Sequence, residues 1–140
     1  MRKLTPQTRK EIAKLEDQLV EKAQKIAQSL WDEMNTAQRR DGKARQLRNI
    51  LEVAEGTDSW KALELFIRYQ AARREIPKSW AEFAIRELDT LQQDAQSIAQ
   101  RTGDEAKGIH LELVTRALGH AVRWHLWDKE KSKTEQREER

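Results

Sequence analysis

Arginine and lysine side chains are concentrated in the middle of the chain, where phosphate binding is the chemistry they favour. Residues 39–78 carry 10 Lys and Arg against 6 Asp and Glu, a net charge of +4, whereas the rest of the chain carries 17 against 18. Guanidinium groups donate in a planar fork that matches phosphate oxygens. We therefore predict a surface that binds a nucleic-acid backbone without reading bases. Its candidate residues are Lys43, Arg45, Arg48, Arg68, Arg73, Arg74 and Lys78.

The spacing of these cations supports two interpretations. Arg45 and Arg48 lie three residues apart and share one helix face. However, Arg48 has Glu52 at i+4 and Arg68 has Glu64 at i−4, so exposed ion pairs are the simpler alternative. Single-strand binders add aromatic stacking to backbone contacts. Three aromatic residues are candidates for that role: Trp60, Tyr69 and Trp80.

The histidines indicate neither a catalytic nor a metal site. His120 and His125 are five residues apart, about 140° around a helix, so they face different sides. The Arg116–His120 and Arg123–His125 spacings do not fit the Arg-x(4–6)-His pattern of helical ribonucleases, and His110 has no such partner. The sequence has no cysteine, no glycine-rich phosphate loop and no His-Glu-x-x-His motif. We predict a protein that is not an enzyme and binds no cofactor or metal.

Helices must position these residues, because the composition is rich in charged helix formers and poor in glycine and proline. Apolar spacing predicts an all-α fold, a single bundle of about five helices over residues 1–128. The predicted helices cover residues 8–38, 43–55, 59–74, 79–101 and 109–127. The first is a long amphipathic helix with a narrow apolar seam. The last is apolar on most sides and should be central. Residues 129–140 are predicted to form a disordered charged tail.

Local signals place the ends of several helices. Thr8 followed by Glu11, and Ser79 followed by Glu82, have capping-box spacing. Thr57 or Asp58 is expected to cap the third helix. The five tryptophans should mostly anchor the core, but Trp31 and Trp127 lie near helix ends and are expected to be half-exposed.

Targeting and membrane signals are not found in the sequence. The first residues lack the apolar stretch of a signal peptide. No run approaches the 18 apolar residues of a membrane span. We therefore expect a cytoplasmic protein without a membrane partner.

Three stretches of the sequence carry a resemblance to a known family: QLRNIL at 46–51, IRYQAAR at 67–73 and LELVTRALGHAVRWH at 111–125. Together they resemble the small-subunit family of type III (Csm-type) CRISPR–Cas interference complexes. The second is similar to the apolar-Tyr-x-Ala-x-Arg signature of that family, and the third to its final helix with a terminal aromatic-His pair. The resemblance covers roughly residues 43–127, and the long first helix departs from it.

The resemblance implies a non-catalytic subunit of a ribonucleoprotein filament in antiviral defence. Arg48, Arg68 and Arg73 would then touch the backbone of guide RNA and target RNA. The implied protein partners are other copies of the chain and the backbone and large subunits of the complex. Base-independent contacts agree with a system in which guide pairing supplies sequence specificity.

Two other functions fit parts of the sequence. A helical protein–protein adaptor would use the first helix as a coiled-coil-like arm and would bind no nucleic acid. A helix-turn-helix regulator would use the short Gly56-Thr57-Asp58 turn, but Trp60 and Leu63 stand where polar base-reading residues belong. Convergence of the arginines on one surface would separate the RNA-binding subunit from the adaptor.

Overall fold

The computed structural model describes residues 2–41 and 44–138, which form helices joined by short turns and contain no strand. The helices are α1 (Pro6–Ala13), α2 (Glu16–Glu33), α3 (Thr36–Asp41), α4 (Ala44–Gly56), α5 (Trp60–Ala72), α6 (Lys78–Asp89), α7 (Leu91–Thr102) and α8 (Ala106–Glu138). The all-α prediction is confirmed, but the predicted number of about five helices is too low.

Helix α8 lies at the centre of the bundle, as its apolar density predicts. It packs against α2, α4 and α7. Its buried apolar side chains are Ile109, Leu111, Leu113, Val114, Ala117, Leu118 and Ala121. The end of α4 lies beside the start of α8, because Arg2 donates to both the Ala54 carbonyl late in α4 and the Glu112 carboxylate early in α8. The two ends of the bundle are therefore defined by the start and the end of α4.

The predicted long helix over residues 8–38 is wrong, because the chain breaks twice. At Leu15 the backbone leaves helical geometry, and its N–H donates to the Ile12 carbonyl in a tight turn. This break lets α1 pack on α7 while α2 packs on α6 and α8. The second break follows Met34, which is extended. Asn35 and Gln38 then exchange side-chain to backbone hydrogen bonds of 2.9 Å, a capping box that starts α3.

The predicted helix over residues 79–101 is likewise divided, at Thr90, into α6 and α7. The Thr90 hydroxyl donates to the Glu87 carbonyl at 2.7 Å, which competes with the helical ladder. The expected Ser79 capping box is not formed, because α6 starts at Lys78 and the Ser79 hydroxyl donates to Glu33.

Two other expected caps differ from those observed. Ser59, rather than Thr57 or Asp58, caps α5 by accepting the Ala62 N–H at 3.0 Å. Thr5 caps α1, and the Thr8 hydroxyl, expected to cap a helix, is buried and donates to Asp104.

The predicted disordered tail is also wrong, because α8 continues to Glu138. No proline follows Pro77, and the segment consists mainly of Lys, Glu, Arg and Gln, which favour helix. Lys133 and Glu130 form an ion pair of 3.4 Å along its surface. Residues 139 and 140 lie outside the described part of the chain.

The tryptophans behave largely as predicted. Trp80 is fully buried and its Nε1 donates to the Ile26 carbonyl at 2.9 Å, which ties α6 to α2. Trp124 donates to the Val20 carbonyl at 3.1 Å and ties α8 to α2. Trp127 is 59% exposed and Trp31 is half-buried, as expected. Trp31 does lie near the end of α2, but α8 continues well beyond Trp127, so the reason given for the exposure of Trp127 is wrong.

Candidate nucleic-acid interface

The turn between α4 and α5 brings several of the predicted cations to one end of the bundle. Gln46, at the start of α4, donates to the Glu75 carboxylate at 3.1 Å, just after the end of α5. The start of α4 therefore lies beside the end of α5 and the start of α6. We call this region the basic end, defined by four exposed cationic residues: Arg45, Arg73, Arg74 and Lys78.

A depression of about 540 Å³ opens at the basic end. Its floor includes Met34 and Ile76, which are both 4% exposed. Arg74 and Lys78 lie on its lining together with the carboxylate of Glu75. Since Gln46 already donates to Glu75, this carboxylate is partly engaged within the protein. The depression thus combines an apolar floor with two cationic side chains at its edge.

Arg74 has an unusual backbone conformation. Its φ is 63°, and it is the one described residue other than glycine with a positive φ. Its N–H donates to the Ala71 carbonyl, and the Glu75 N–H donates to the Gln70 carbonyl. These two bonds form a Schellman motif in which the left-handed position is usually glycine. An arginine at this position costs stability, so its side chain is a candidate for function.

Tyr69 and Arg73 form an exposed aromatic and cationic pair beside Arg74. The Arg73 guanidinium carbon lies 5.4 Å from the centroid of the Tyr69 ring, and Tyr69 is 53% exposed. Leu65, one turn earlier, is 68% exposed. Since exposed aromatic rings stack on bases without sequence preference, this pair adds a stacking surface next to the phosphate-binding candidates.

Arg68, another predicted site residue, is engaged in ion pairs instead. Its guanidinium donates to Glu64 at 3.1 Å and to Glu82 at 3.0 Å. Hydrogen bonds to Glu82 and then Glu64 raise the pKa of Arg68 above its ordinary value. Contact with a phosphate would have to break these pairs, so Arg68 is a weaker candidate than the other arginines.

The other cations of the basic segment differ in their environments. Arg48 lies one turn along α4 from Arg45 and is exposed, and no ion pair with Glu52 forms among the described residues. Lys43 lies outside the described residues. Arg39 was counted in the basic region, yet its Nε donates to the Trp31 carbonyl at 3.0 Å and its guanidinium covers the Trp31 ring. It therefore fastens α3 to α2.

His120 and His125 occupy structural positions. His120 bonds to Glu16, which Arg116 also approaches at 3.3 Å. Burial raises the pKa of Glu16, but the hydrogen bonds and charges of His120 and Arg116 outweigh this effect and lower it. His125 is fully buried beside Trp31, with no hydrogen bond to either ring nitrogen. Burial, together with the charge of Lys129, lowers the pKa of His125 to about 4.

Two features of the basic end are not among the sequence predictions. One is the left-handed conformation of Arg74, although Pro77 shortly after it is a signal that α5 must stop. The other is the hydrogen bond between Gln46 and Glu75, which brings the start of α4 beside the end of α5. It joins residues 29 positions apart, and no local sequence pattern specifies it.

Comparison with known protein families, curated proteins and solved structures finds no match to this chain. Among residues 2–41 and 44–138, no group of three His, Asp or Glu side chains is arranged to hold a metal ion. Within the same ranges, no helix has both the length and the apolar character needed to cross a membrane.

Proposed function

We propose that this protein binds the sugar–phosphate backbone of RNA through its basic end and performs no catalytic step. One observation carries the proposal, namely that Arg45, Arg73, Arg74 and Lys78 are exposed at the same end of the bundle. Several flexible cations on one surface suit phosphates at varied positions, while the exposed Tyr69 ring suits an unpaired base.

The sequence resemblance extends this proposal to a biological setting. The protein would be a small subunit of a type III CRISPR–Cas effector, contacting guide RNA and target RNA beside copies of itself and the backbone and large subunits. This extension rests on the three stretches at 46–51, 67–73 and 111–125. Because Arg68 is engaged in ion pairs with two carboxylates, we propose Arg45 and Arg74 in its place as contacts to the RNA phosphates.

The alternative of a protein–protein adaptor loses its main support. That function required an apolar seam free to meet another helix. The apolar residues of α2 are instead buried inside the molecule, where α2 packs on α8. These buried residues are Leu19, Ala23, Ile26, Ala27 and Leu30. The seam that suggested a coiled-coil arm therefore stabilises the bundle itself.

The proposal is tested by fluorescence anisotropy with a short unstructured single-stranded RNA across a salt series. The test variant changes Arg45, Arg48 and Arg73 to Ala. A control variant with the same loss of charge changes Lys3, Arg9 and Lys10 to Ala, three exposed residues near the opposite end. Each phosphate contact contributes about 0.7 to the slope of log affinity against log salt for single strands.

Three lost contacts should therefore reduce the slope by about 2 in the test variant and leave it almost unchanged in the control. Equal weakening in both variants would show only a general effect of net charge and would refute a localised interface. Absence of binding by the wild-type protein at low salt would refute RNA binding by the free chain.

A further inference from the structure

A second depression lies at the end of the bundle opposite the basic end. It is a groove of about 520 Å³ between the start of α5, the side of α7 and the start of α8. Its floor includes Ala95 and Leu111, which are each 1% exposed. Pockets that hold small molecules have volumes of about 300–1,000 Å³ and apolar floors with a few polar groups. The groove falls within this range.

Two aromatic rings form a rigid corner in this groove. The rings of Trp60 and His110 lie 4.9 Å apart with an interplanar angle of 78°. Trp60 Nε1 donates to Asp89 at 3.0 Å, and His110 Nε2 lies 3.0 Å from the Leu88 carbonyl. Because consecutive residues at the end of α6 hold both rings, the corner is formed before any ligand arrives.

The protonation state of His110 follows from its contacts. A carbonyl oxygen can only accept, so the hydrogen is assigned to Nε2. Burial lowers the pKa of His110, although the Leu88 carbonyl and the carboxylates of Asp89 and Glu64 oppose this effect. The lowered pKa favours the neutral form of the His110 ring. Its Nδ1, which has no hydrogen-bond partner among the described residues, is an acceptor on a side chain that lines the groove.

Two lysines and one carboxylate supply the charges on the described lining of the groove, and the Asp89 carboxylate lies behind Trp60. Lys61 and Lys107 lie in the first turns of α5 and α8, and both line it. Backbone N–H groups in a first helical turn have no intrahelical partner and favour anions. Asp58 is the one carboxylate on the described lining, so two ammonium groups outnumber it. Gln92 and Gln96 add amide groups, although Gln92 Nε2 already donates to Asp89 at 2.6 Å.

We propose that this groove binds a mononucleotide, meaning a planar nitrogen heterocycle that carries a phosphate group. The heterocycle would pack into the corner of Trp60 and His110. A base N–H would donate to His110 Nδ1, and Gln96 would bond another edge of the base. The phosphate would lie between Lys61 and Lys107. The same chemistry is offered by a free nucleotide and by the phosphorylated end of an RNA strand.

Isothermal titration calorimetry on the full chain tests this proposal with the four ribonucleoside 5′-monophosphates. Adenosine without phosphate and ribose 5-phosphate without a base are the chemical controls. We expect at least one monophosphate to bind, and each control to bind at least roughly tenfold more weakly, because each lacks half of the recognised groups. Binding of ribose 5-phosphate as strong as that of every monophosphate would overturn the role of the aromatic corner.

The test variant changes Lys61 and Lys107 to Ala. The matched control changes Lys10 and Lys25 to Ala, two exposed lysines on α1 and α2. All four are surface residues, so both variants should fold. We expect the test variant to lose roughly tenfold or more in affinity and the control to retain it. Unchanged affinity in the test variant, or no binding of any monophosphate at millimolar concentration, would overturn the proposal.

A 5′-phosphorylated tetranucleotide distinguishes the two sources of the ligand. Stronger binding than the mononucleotide, lost in the Lys61 and Lys107 variant, would identify a strand end, whereas weaker binding would identify a free nucleotide. The variant of Arg45, Arg48 and Arg73 should leave mononucleotide binding intact, because none of these residues lines the groove. This outcome separates a failure of the groove from a failure of the proposed RNA interface.

Discussion

Replacing Arg74 with glycine should make the protein more stable while weakening its interaction with RNA. Arg74 has a φ of 63°, a left-handed conformation that costs a residue with a Cβ about 1–2 kcal/mol. Glycine removes this cost but gives the unfolded chain more freedom, which takes back about 0.4–1 kcal/mol. The net gain is about 0.5–1 kcal/mol, or a rise in the melting temperature of about 2–4 °C.

The neighbouring arginine provides a matched control. Arg73 has a φ of −80° and a ψ of 0°, where glycine relieves no strain. Arg73→Gly therefore loses about 0.5–1 kcal/mol through backbone entropy, and it also loses the contact with Tyr69. Arg74→Ala keeps the strain and should change stability little. Three variants with the same change in charge should thus differ in the sign of their effect on stability.

Circular dichroism during thermal and urea unfolding measures these stabilities, and RNA binding is measured in parallel. Arg74→Gly and Arg74→Ala should weaken RNA binding equally and each reduce the salt slope by about 0.7. A destabilised Arg74→Gly would refute the left-handed geometry. Binding by Arg74→Gly as strong as that of the wild type would refute the functional role of the side chain.

Other parts of the molecule give further predictions. Because burial depresses the pKa of His125 to about 4, the unfolded state takes up the proton first, and stability falls as pH decreases from 6.5 towards 4. His125→Leu should reduce the loss of unfolding free energy between pH 7 and pH 5 by about 2 kcal/mol in urea titrations, and an unchanged loss would contradict the burial. Trp80→Phe removes the hydrogen bond to Ile26 and should cost about 1–3 kcal/mol at pH 7, whereas no change would place the ring outside the core. Deleting residues 130–140 should lower helical ellipticity but change the free energy of unfolding by less than about 0.5 kcal/mol, and a larger loss would reveal packing of that segment.

The sequence predicts the all-α class of this fold better than it predicts where each helix begins and ends. Apolar spacing located α4, α5 and the start of α8 within a few residues, because each has a continuous amphipathic or apolar pattern. It did not predict the charged end of α8, which continues to Glu138. The same spacing continued across Leu15 and Thr90, where the chain turns without a glycine or proline. An apolar pattern that continues through a turn has the same spacing in the sequence as one on a single straight helix. Only the packing of α1 on α7 shows that the chain turns at Leu15. Asn35 and Gln38 did carry a local signal, the capping box that starts α3.

The candidate interface was predictable in composition but not in detail. Counting charges located the basic segment, and the α4–α5 turn brought Arg45 and Arg73 to one end. The role of Arg68 was undecided between phosphate contact and the ion pair with Glu64. Its second partner, Glu82, lies on another helix and strengthens the ion-pair interpretation. Long-range contacts of this kind depend on the packed structure and leave no trace in local spacing.

Unfavourable local features are concentrated near the basic end. Among the described residues, five buried side-chain nitrogen or oxygen atoms lack a hydrogen bond: Gln46 Oε1, Gln70 Oε1, both ring nitrogens of His125 and, at the opposite end, Arg2 Nε. Gln46 starts α4, Gln70 precedes the strained Arg74, and His125 contacts Trp31 where α2 ends. Unsatisfied groups and strained backbone are expected where function rather than stability determines the residue. Their location at the same end as the exposed cations supports an interface there on grounds independent of charge.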